Sequence, residues 1–153
     1  MNLSTRASID VPNPVDEVFS VACEGMPRFL HAVGPIPGVI GSEIEGGVLA
    51  SGADRRVHLS DGSVLEERVL DFDRPHVHRY RWSNAPSAPF SWFVKTGEAN
   101  WTFSASGAGT AITWTYTFEL TSAALSPLAA LVIVFFRRWM TQGLTELRAV
   151  LAG

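Results

Sequence analysis

Residues 126–151 read SPLAALVIVFFRRWMTQGLTELRAVL, and this segment determines what the rest of the chain has to provide. Ser126 can cap a helix, and Pro127 suits the first helical position. Apolar residues recur every three or four positions and predict one continuous apolar face, formed by Leu128, Leu131, Val132, Phe135, Trp139, Leu147 and Val150. A helix of about 25 residues spans roughly 38 Å. It therefore needs a broad sheet to cover that face.

The same segment raises the question of a membrane helix. Its uninterrupted apolar run ends at Arg137 and Arg138. This run is well short of the ~20 residues that cross a bilayer. The sequence therefore predicts no membrane span and a core helix in a soluble domain.

The remainder of the chain predicts mostly strands. Asn13 can cap a short helix that begins at Val15, and residues 26–33 suit another brief helical turn. Alternating patterns bounded by breakers predict strands at 3–11, 39–49, 53–59, 64–72, 76–83, 90–104 and 111–120. Strands grouped apart from helices indicate an α+β fold with helices on one face of an antiparallel sheet. We expect residues 1–153 to form one domain.

Composition excludes several functional classes. The 153 residues are 46% hydrophobic and 18% charged, with a net charge of −3. No broad cationic surface is available for nucleic acid. Cys23 is the single cysteine and no signal peptide precedes the first strand, so we expect a reducing, cytoplasmic location. No phosphate loop or other cofactor motif is present, and a monomer or a homodimer is equally compatible with the sequence.

Strand alternation predicts which side chains face the core. The inward set is Arg55, Val57, Leu59, Leu65, Glu67, Val69, His78, Tyr80, Trp82, Ala99, Trp101, Phe103, Trp114, Tyr116 and Phe118. Its polar members are unusual because an unpaired polar group is costly to bury. They are expected to pair with one another or to contact a ligand.

Several short motifs, taken together, resemble a known superfamily. They are Ile9-Asp10-Val11-Pro12 before Val15-Asp16-Glu17-Val18-Phe19, Gly52-Ala53-Asp54-Arg55-Arg56-Val57 before Asp61-Gly62, Glu67-Arg68-Val69, Tyr80-Arg81-Trp82, Gly109-Thr110-Ala111-Ile112-Thr113-Trp114 and Gly143-Leu144-Thr145-Glu146-Leu147. Their order is similar to the START-related, helix-grip superfamily, especially its polyketide cyclase/dehydrase and lipid-transport family. The resemblance implies a curved sheet of about seven antiparallel strands around the long C-terminal helix, with one or two short helices after strand 1. It also implies an apolar cavity for a small hydrophobic molecule, but no single reaction.

Three functions are compatible with this resemblance. The first is binding or transport of a lipid, polyketide or similar molecule by the side chains of Arg55, Val57, Leu59, Glu67, His78, Tyr80, Trp82, Trp101, Phe103, Trp114, Tyr116, Phe135 and Trp139. The second is a cyclase or dehydratase in which Glu67 or His78 transfers protons while Tyr80 or Arg55 polarises a carbonyl. The third is a protein-interaction module whose cavity is filled by aromatic side chains.

Simpler interpretations of the polar residues compete with catalysis. Arg55 and Glu67 can form an ion pair inside the sheet, and this is the interpretation that we favour. His76 and His78 lie two apart on one strand, but no carboxylate at suitable spacing completes a metal site, and none is predicted. The breaker-rich loops 36–38 and 86–89 are expected to lie at one end of the sheet and to control access to the cavity.

Overall fold

A curved seven-stranded antiparallel sheet and one long helix build the molecule. The computed structural model describes residues 2–84 and 90–153. The strands are β1 (Asn2–Val11), β2 (Val39–Ile44), β3 (Asp54–Leu59), β4 (Val64–Asp73), β5 (Val77–Trp82), β6 (Val94–Ser106) and β7 (Gly109–Leu120). The helices are α1 (Val15–Glu24), α2 (Phe90–Phe93) and α3 (Ser126–Ala152), with short 3-10 turns at Met26–Arg28 and Ala123–Leu125. The predicted fold class is confirmed.

Strand order defines the edges of the sheet and, with the helices, the position of the core. The sheet runs β1-β7-β6-β5-β4-β3-β2, so the two edges are the first two strands in the sequence. The segment between them contains α1 and the turn Met26–Arg28, which cross one face of the sheet. α3 lies on the same face and packs against β1 and β7. The hydrophobic core fills the space between this concave face and the helices.

Two of the predicted strand boundaries are wrong for identifiable reasons, and one predicted loop is not described by the structure. β2 ends at Ile44 because Gly46 and Gly47 adopt positive φ angles of 79° and 75°, which turn the chain before Leu49. Residues 90–93 form the helical turn α2, so β6 begins only at Val94. The predicted loop 86–89 lies outside the described residues.

Two of the predicted helix caps are also wrong. The Ser122 hydroxyl, not that of Ser126, accepts the hydrogen bond from a backbone N–H, that of Ala124 at 3.3 Å. Asn13 does not cap α1: the N-cap residue is Pro14, and no side chain accepts a hydrogen bond there. The Asn13 Nδ2 atom instead donates to the backbone oxygen of Leu151 at 3.0 Å. That carbonyl belongs to the last turn of α3, where the carbonyl oxygens have no N–H partner within the helix.

α3 is rotated about its axis relative to the prediction. The buried stripe is Ala129, Ile133, Phe136, Trp139, Met140, Gly143, Leu144, Leu147 and Leu151. Leu128 and Leu131, assigned to the inner face, are exposed, and Phe135 is only half-buried. The small residues set this rotation: Gly143 lies directly against the Leu30 side chain, where a larger side chain would not fit.

By length and composition alone, the helical segment Ala123–Ala152 could span a membrane, with a mean hydropathy of 1.5 over its most apolar window. Its inner stripe is packed into the sheet, as is typical of a core helix.

Candidate functional site

The predicted inward orientation of the strands is confirmed. All fifteen residues of the inward set are buried, none more than 8% exposed. A bulge in a strand reverses the alternation of the side chains that follow it. β4 does contain a bulge, between Val69 and Asp71. It follows Leu65, Glu67 and Val69, so these three keep their orientation.

Five buried polar side chains, which we call the polar cluster, lie together on β3, β4, β5 and β7: Arg55, Glu67, His78, Tyr80 and Tyr116. Adjacent antiparallel strands bring them together, because Arg55 is the register partner of Glu67. His78 and Tyr80 follow each other on one face of β5, with ring centroids 4.9 Å apart.

An ion pair between Arg55 and Glu67 anchors the polar cluster. Arg55 Nε and Nη2 both donate to Glu67 Oε1, at 3.1 and 2.8 Å. Arg55 Nη1 donates to the backbone oxygen of Cys23 at 2.9 Å, which ties the sheet to α1. Arg55 also lies over the Tyr80 ring, with its Cζ 5.5 Å from the centroid. The ion pair favoured by the sequence is present.

Burial controls the protonation of this cluster. Burial raises the pKa of Glu67, and the attraction of Arg55 offsets only part of this effect. Burial opposes the charge on Arg55, but the Glu67 carboxylate outweighs it and the pKa of Arg55 is raised. Burial and the nearby Arg55 charge lower the pKa of His78 to about 3, so this imidazole is neutral at pH 7. Burial also raises the pKa of the phenols of Tyr80 and Tyr116.

A small cavity of about 40 Å³ adjoins the polar cluster between the sheet and α3. It is lined by Met26, Leu30, Ile36, Pro37, Val39, Val57, Leu59, Leu65, Glu67, Tyr80, Trp82, Tyr116, Phe136 and Trp139. Its walls are therefore apolar except at Glu67 and the tyrosines. Trp82 Nε1 donates to the Tyr116 hydroxyl at 3.2 Å. Within the described part of the chain, the buried Nε1 of Trp139 has no acceptor.

The thirteen predicted ligand-binding residues fall into three groups. Those lining the cavity are Val57, Leu59, Glu67, Tyr80, Trp82, Tyr116 and Trp139. Those buried in the core beside it are Arg55, His78, Trp101, Phe103 and Trp114. Phe135 does neither, because the rotation of α3 places Phe136 at the cavity instead. Trp101 and Trp114 stack on each other with centroids 4.2 Å apart, which fills the space the sequence assigned to a ligand.

Sequence reasoning missed the wall contributed by residues 26–39. Met26, Leu30, Ile36, Pro37 and Val39 line the cavity from the connection between α1 and β2. This connection is irregular, so no periodic pattern indicated which side chains point inward. The one available signal was the concentration of apolar residues in a breaker-rich loop.

Among the described residues, neither a wide surface depression nor the histidines provide a more suitable ligand or metal site. A wide depression of about 770 Å³ on the outer face of the sheet is open to solvent and lined largely by charged side chains, such as Arg68, which pairs with Asp54 at 3.0 Å. Across residues 2–84 and 90–153, no three histidine, cysteine or acidic side chains lie close enough to hold a metal ion. His76 lies in the turn before β5 and not on the strand, and its Nδ1 atom is 3.1 Å from the backbone oxygen of Phe103.

Solved structures share this architecture at low sequence identity. The chain superposes on Ara h 8.0201 with a TM-score of 0.71 and 15% identity over 100% of both chains. The ginseng major latex-like protein 151 from Panax ginseng gives 0.69 and 13%, over 97% of this chain and 96% of that one. The di-domain ARO/CYC protein BexL from the BE-7585A biosynthetic pathway gives 0.67 and 16%, over 97% of this chain and 49% of that one. These likenesses establish the fold.

Family membership rests on the sequence. A comparison with curated proteins finds no match. The family model described as "Polyketide cyclase / dehydrase and lipid transport" matches residues 2–152. This match covers the sheet, α3 and every residue of the polar cluster, and the chain therefore belongs to the polyketide cyclase/dehydrase and lipid-transport family.

Proposed function

We propose that the protein binds a small, mainly apolar molecule that carries an oxygen at one end, in the cavity between the sheet and α3. One observation carries the proposal: a small, largely apolar cavity between the sheet and α3 whose polar side chains include Glu67, Tyr80 and Tyr116. Such a site buries a hydrophobic ligand and orients it through a few polar contacts. The family and the fold support the same function.

Trp139 supplies a directional contact for this ligand. Its ring lines the cavity, and its Nε1 is a buried donor that lacks an acceptor in residues 2–84 and 90–153. A buried donor without a partner costs about 1–3 kcal/mol. A carbonyl or hydroxyl oxygen on the ligand would remove this cost, so the site favours an oxygenated molecule over a pure hydrocarbon.

Binding requires the cavity to expand. A volume of about 40 Å³ accommodates a few water molecules at most. Pockets for drug-sized ligands are on the order of 300 Å³ or more. Ile36 and Pro37 form the wall that lacks regular secondary structure, so their loop is the segment that moves most easily.

Calorimetric titration with two related probes tests the proposal. We expect 1-naphthol to bind more tightly than naphthalene, because only the naphthol carries an oxygen. Trp139→Phe keeps an aromatic ring but removes the N–H, and it should weaken naphthol binding by about fivefold or more while naphthalene is unaffected. Trp92→Phe, at an exposed position, is the matched control. Failure of both probes to bind the wild-type protein would refute the proposal.

A second candidate function, cyclisation or dehydration of a polyketide, has one observation in its favour. Burial raises the pKa of the Glu67 carboxyl in the cavity wall, as general-acid catalysis requires. However, Arg55 already donates two hydrogen bonds to Glu67 Oε1. His78, with its pKa lowered to about 3, is a weak base. We therefore place this function second, and a Glu67→Gln variant that retains turnover of a poly-β-ketone thioester would eliminate this role.

The remaining expectations stay predictions. The stacked Trp101 and Trp114 support the hypothesis of a protein-interaction module whose cavity is filled by aromatic side chains. However, side chains do not fill the cavity beside Glu67. The cytoplasmic location and the choice between monomer and homodimer are further proposals, which cell fractionation and sedimentation equilibrium would test.

A further inference from the structure

The outward face of α3 is apolar along its first half. Leu128, Leu131 and Val134 are 53%, 60% and 53% exposed. They follow one another at helical spacing, so they form one continuous stripe on the side away from the sheet. In the most apolar window of this helix, only 28% of the residues are buried. Exposed apolar surface of this extent marks an interaction site.

Trp92 extends this stripe at the start of the helix. Its side chain is 64% exposed, whereas the other four tryptophans are at most 7% exposed. The Thr121 hydroxyl donates to the Trp92 backbone oxygen at 2.9 Å, and Thr121 N–H donates to the Phe93 oxygen at 2.9 Å. These bonds fix α2 beside the segment that leads into α3, and the two helices pack on each other. We call Trp92, Leu128, Leu131 and Val134 the α3 patch.

A pair of arginines closes the patch at one end. No charged residue occurs from residue 120 to residue 136, and Arg137 and Arg138 follow at once. Both are exposed, and neither has an ion-pair partner among the described residues. Elsewhere on the surface, Arg68, Arg74 and Arg79 pair with carboxylates. Other exposed arginines of the described chain also lack an ion pair, namely Arg6, Arg28, Arg56 and Arg148, but only Arg137 and Arg138 adjoin the apolar stripe. The patch is therefore an apolar surface that ends in uncompensated positive charge.

We propose that the α3 patch docks the protein on an anionic lipid surface. Leucines and a tryptophan on one side of a helix, followed by arginines, form the pattern of a helix that lies in a membrane interface. The apolar side chains enter the acyl boundary, and Arg137 and Arg138 reach the phosphates above it. The inner stripe of α3 stays packed on the sheet throughout, so the helix lies on the bilayer and does not cross it.

The charge pattern favours lipid over a second copy of this chain. In a symmetric dimer through this face, Arg137 and Arg138 of each copy would be covered by a surface without carboxylates, because the patch contains none. Burying such charges without partners is costly. A layer of lipid phosphates supplies the missing anions beside the apolar region.

The patch is continuous with the cavity wall. The half-buried ring of Phe135 lies against Gly34, and the same loop lines the cavity through Ile36 and Pro37. Docking would bring this loop close to the lipid surface. The docking itself does not depend on what the cavity binds, so it is tested separately from the proposed function.

Cosedimentation with vesicles tests the proposal. We expect the protein to bind vesicles of phosphatidylcholine and phosphatidylglycerol more tightly than vesicles of phosphatidylcholine alone, and to lose affinity at high salt. The emission of the exposed Trp92 should shift to shorter wavelength on binding. Leu128→Ser/Leu131→Ser should abolish binding, and Arg137→Ala/Arg138→Ala should weaken it by about tenfold or more.

Matched controls come from exposed residues of the same kind on β2 and the outer sheet face. Ile40→Ser removes an equally exposed apolar side chain, and Arg56→Ala removes an exposed arginine; both should bind as the wild type does. Equal melting temperatures for all variants would show that the fold is retained. Absence of binding to the anionic vesicles, or binding that persists in the Leu128→Ser/Leu131→Ser variant, would overturn the proposal. A dimer that dissociates in this variant, with no vesicle binding, would assign the patch to a second copy.

Discussion

The side chains of Arg55 and Glu67 place two charges inside the core, at 2% and 5% exposure. Removing the two charges from water costs free energy, and their mutual attraction offsets this desolvation cost only while both partners are present. Arg55 has three hydrogen bonds to Glu67 and Cys23. The net contribution of the ion pair to stability is therefore small, but the loss of either partner would leave an unpaired charge in the core.

Removing one partner should be worse than removing both. Glu67→Ala leaves Arg55 without its carboxylate and should lower the free energy of unfolding by about 3–5 kcal/mol. Arg55→Met/Glu67→Leu replaces the pair with apolar side chains and should recover most of this loss. Urea unfolding of the three proteins measures the difference. A double variant less stable than Glu67→Ala would show that the ion pair contributes net stability.

His78 should make the stability depend on pH. Its pKa is about 3 in the folded protein and near 6.5 in the unfolded chain, so only the unfolded chain takes up a proton between these values. The free energy of unfolding is therefore unaffected above pH 6.5 and falls below it, by about 1.4 kcal/mol per pH unit. Glu67 acts in the opposite sense. Its pKa is raised in the folded protein, so above about pH 4.5 the unfolded chain loses this proton first and the free energy of unfolding falls as the pH rises.

Comparison with His78→Gln isolates the histidine. Between pH 7 and pH 5, the wild type should lose about 2 kcal/mol more than this variant, as measured by urea unfolding at each pH. The variant can be less stable at every pH, since the test concerns the slope alone. Parallel pH profiles would mean that folding does not lower the pKa of His78, which would contradict its burial as a neutral imidazole.

At the scale of secondary structure, strands were easier to predict than the long helix. Polar residues between Trp114, Tyr116 and Phe118 left one possible inward face for β7, and the other central strands carry similar alternation. In α3 the run from Leu128 to Phe136 is apolar on all sides, so its periodicity does not select one face. Contacts made far away in the sequence, such as that of Gly143 with Leu30, set the rotation.

The rotation of α3 can be tested with two adjacent phenylalanines. Phe136 packs between Tyr116 and Phe118, with ring centroids 4.8 and 4.9 Å away, whereas Phe135 is half-buried. Phe136→Ala should lower the free energy of unfolding by about 3–5 kcal/mol. Phe135→Ala should cost clearly less, about 1 kcal/mol. A larger loss at Phe135 in thermal or urea unfolding would restore the face predicted from the sequence.

Close packing of β5 on β6 depends on a glycine. Gly97 is the register partner of Trp82, and a Cβ at this position would collide with the indole ring. Gly97→Ala should therefore displace the ring and cost about 1–3 kcal/mol, with a change in tryptophan emission. Gly41→Ala on β2 is the control, because no atom lies within 4 Å of its added Cβ. Equal stability of the two variants would show that the Trp82 ring shifts freely.

For the molecule as a whole, the sequence predicts the fold that surrounds the cavity but not the volume of the cavity. Alternation placed Trp82, Trp101 and Trp114 inside, yet it contains no information on how tightly three large rings pack together. The resulting cavity is about 40 Å³ and borders only the first of these tryptophans. Its volume depends on side-chain conformations and on the irregular 26–39 segment, which no local pattern encodes.

A ligand larger than this cavity must move part of its wall, and the loop around Ile36 is held by few bonds. Val33 and Ile36 exchange two backbone hydrogen bonds of 3.0 Å, and Gly38 N–H donates to the Ser60 hydroxyl at 3.0 Å. We expect bound 1-naphthol to slow amide exchange at Ile36 and Gly38, because opening of the loop then also requires the ligand to leave. The His76 amide, bonded to Asp73 in a distant turn, should exchange at an unchanged rate. Calorimetric binding without slower exchange at Ile36 would mean that the ligand reaches the cavity by another route, past α3.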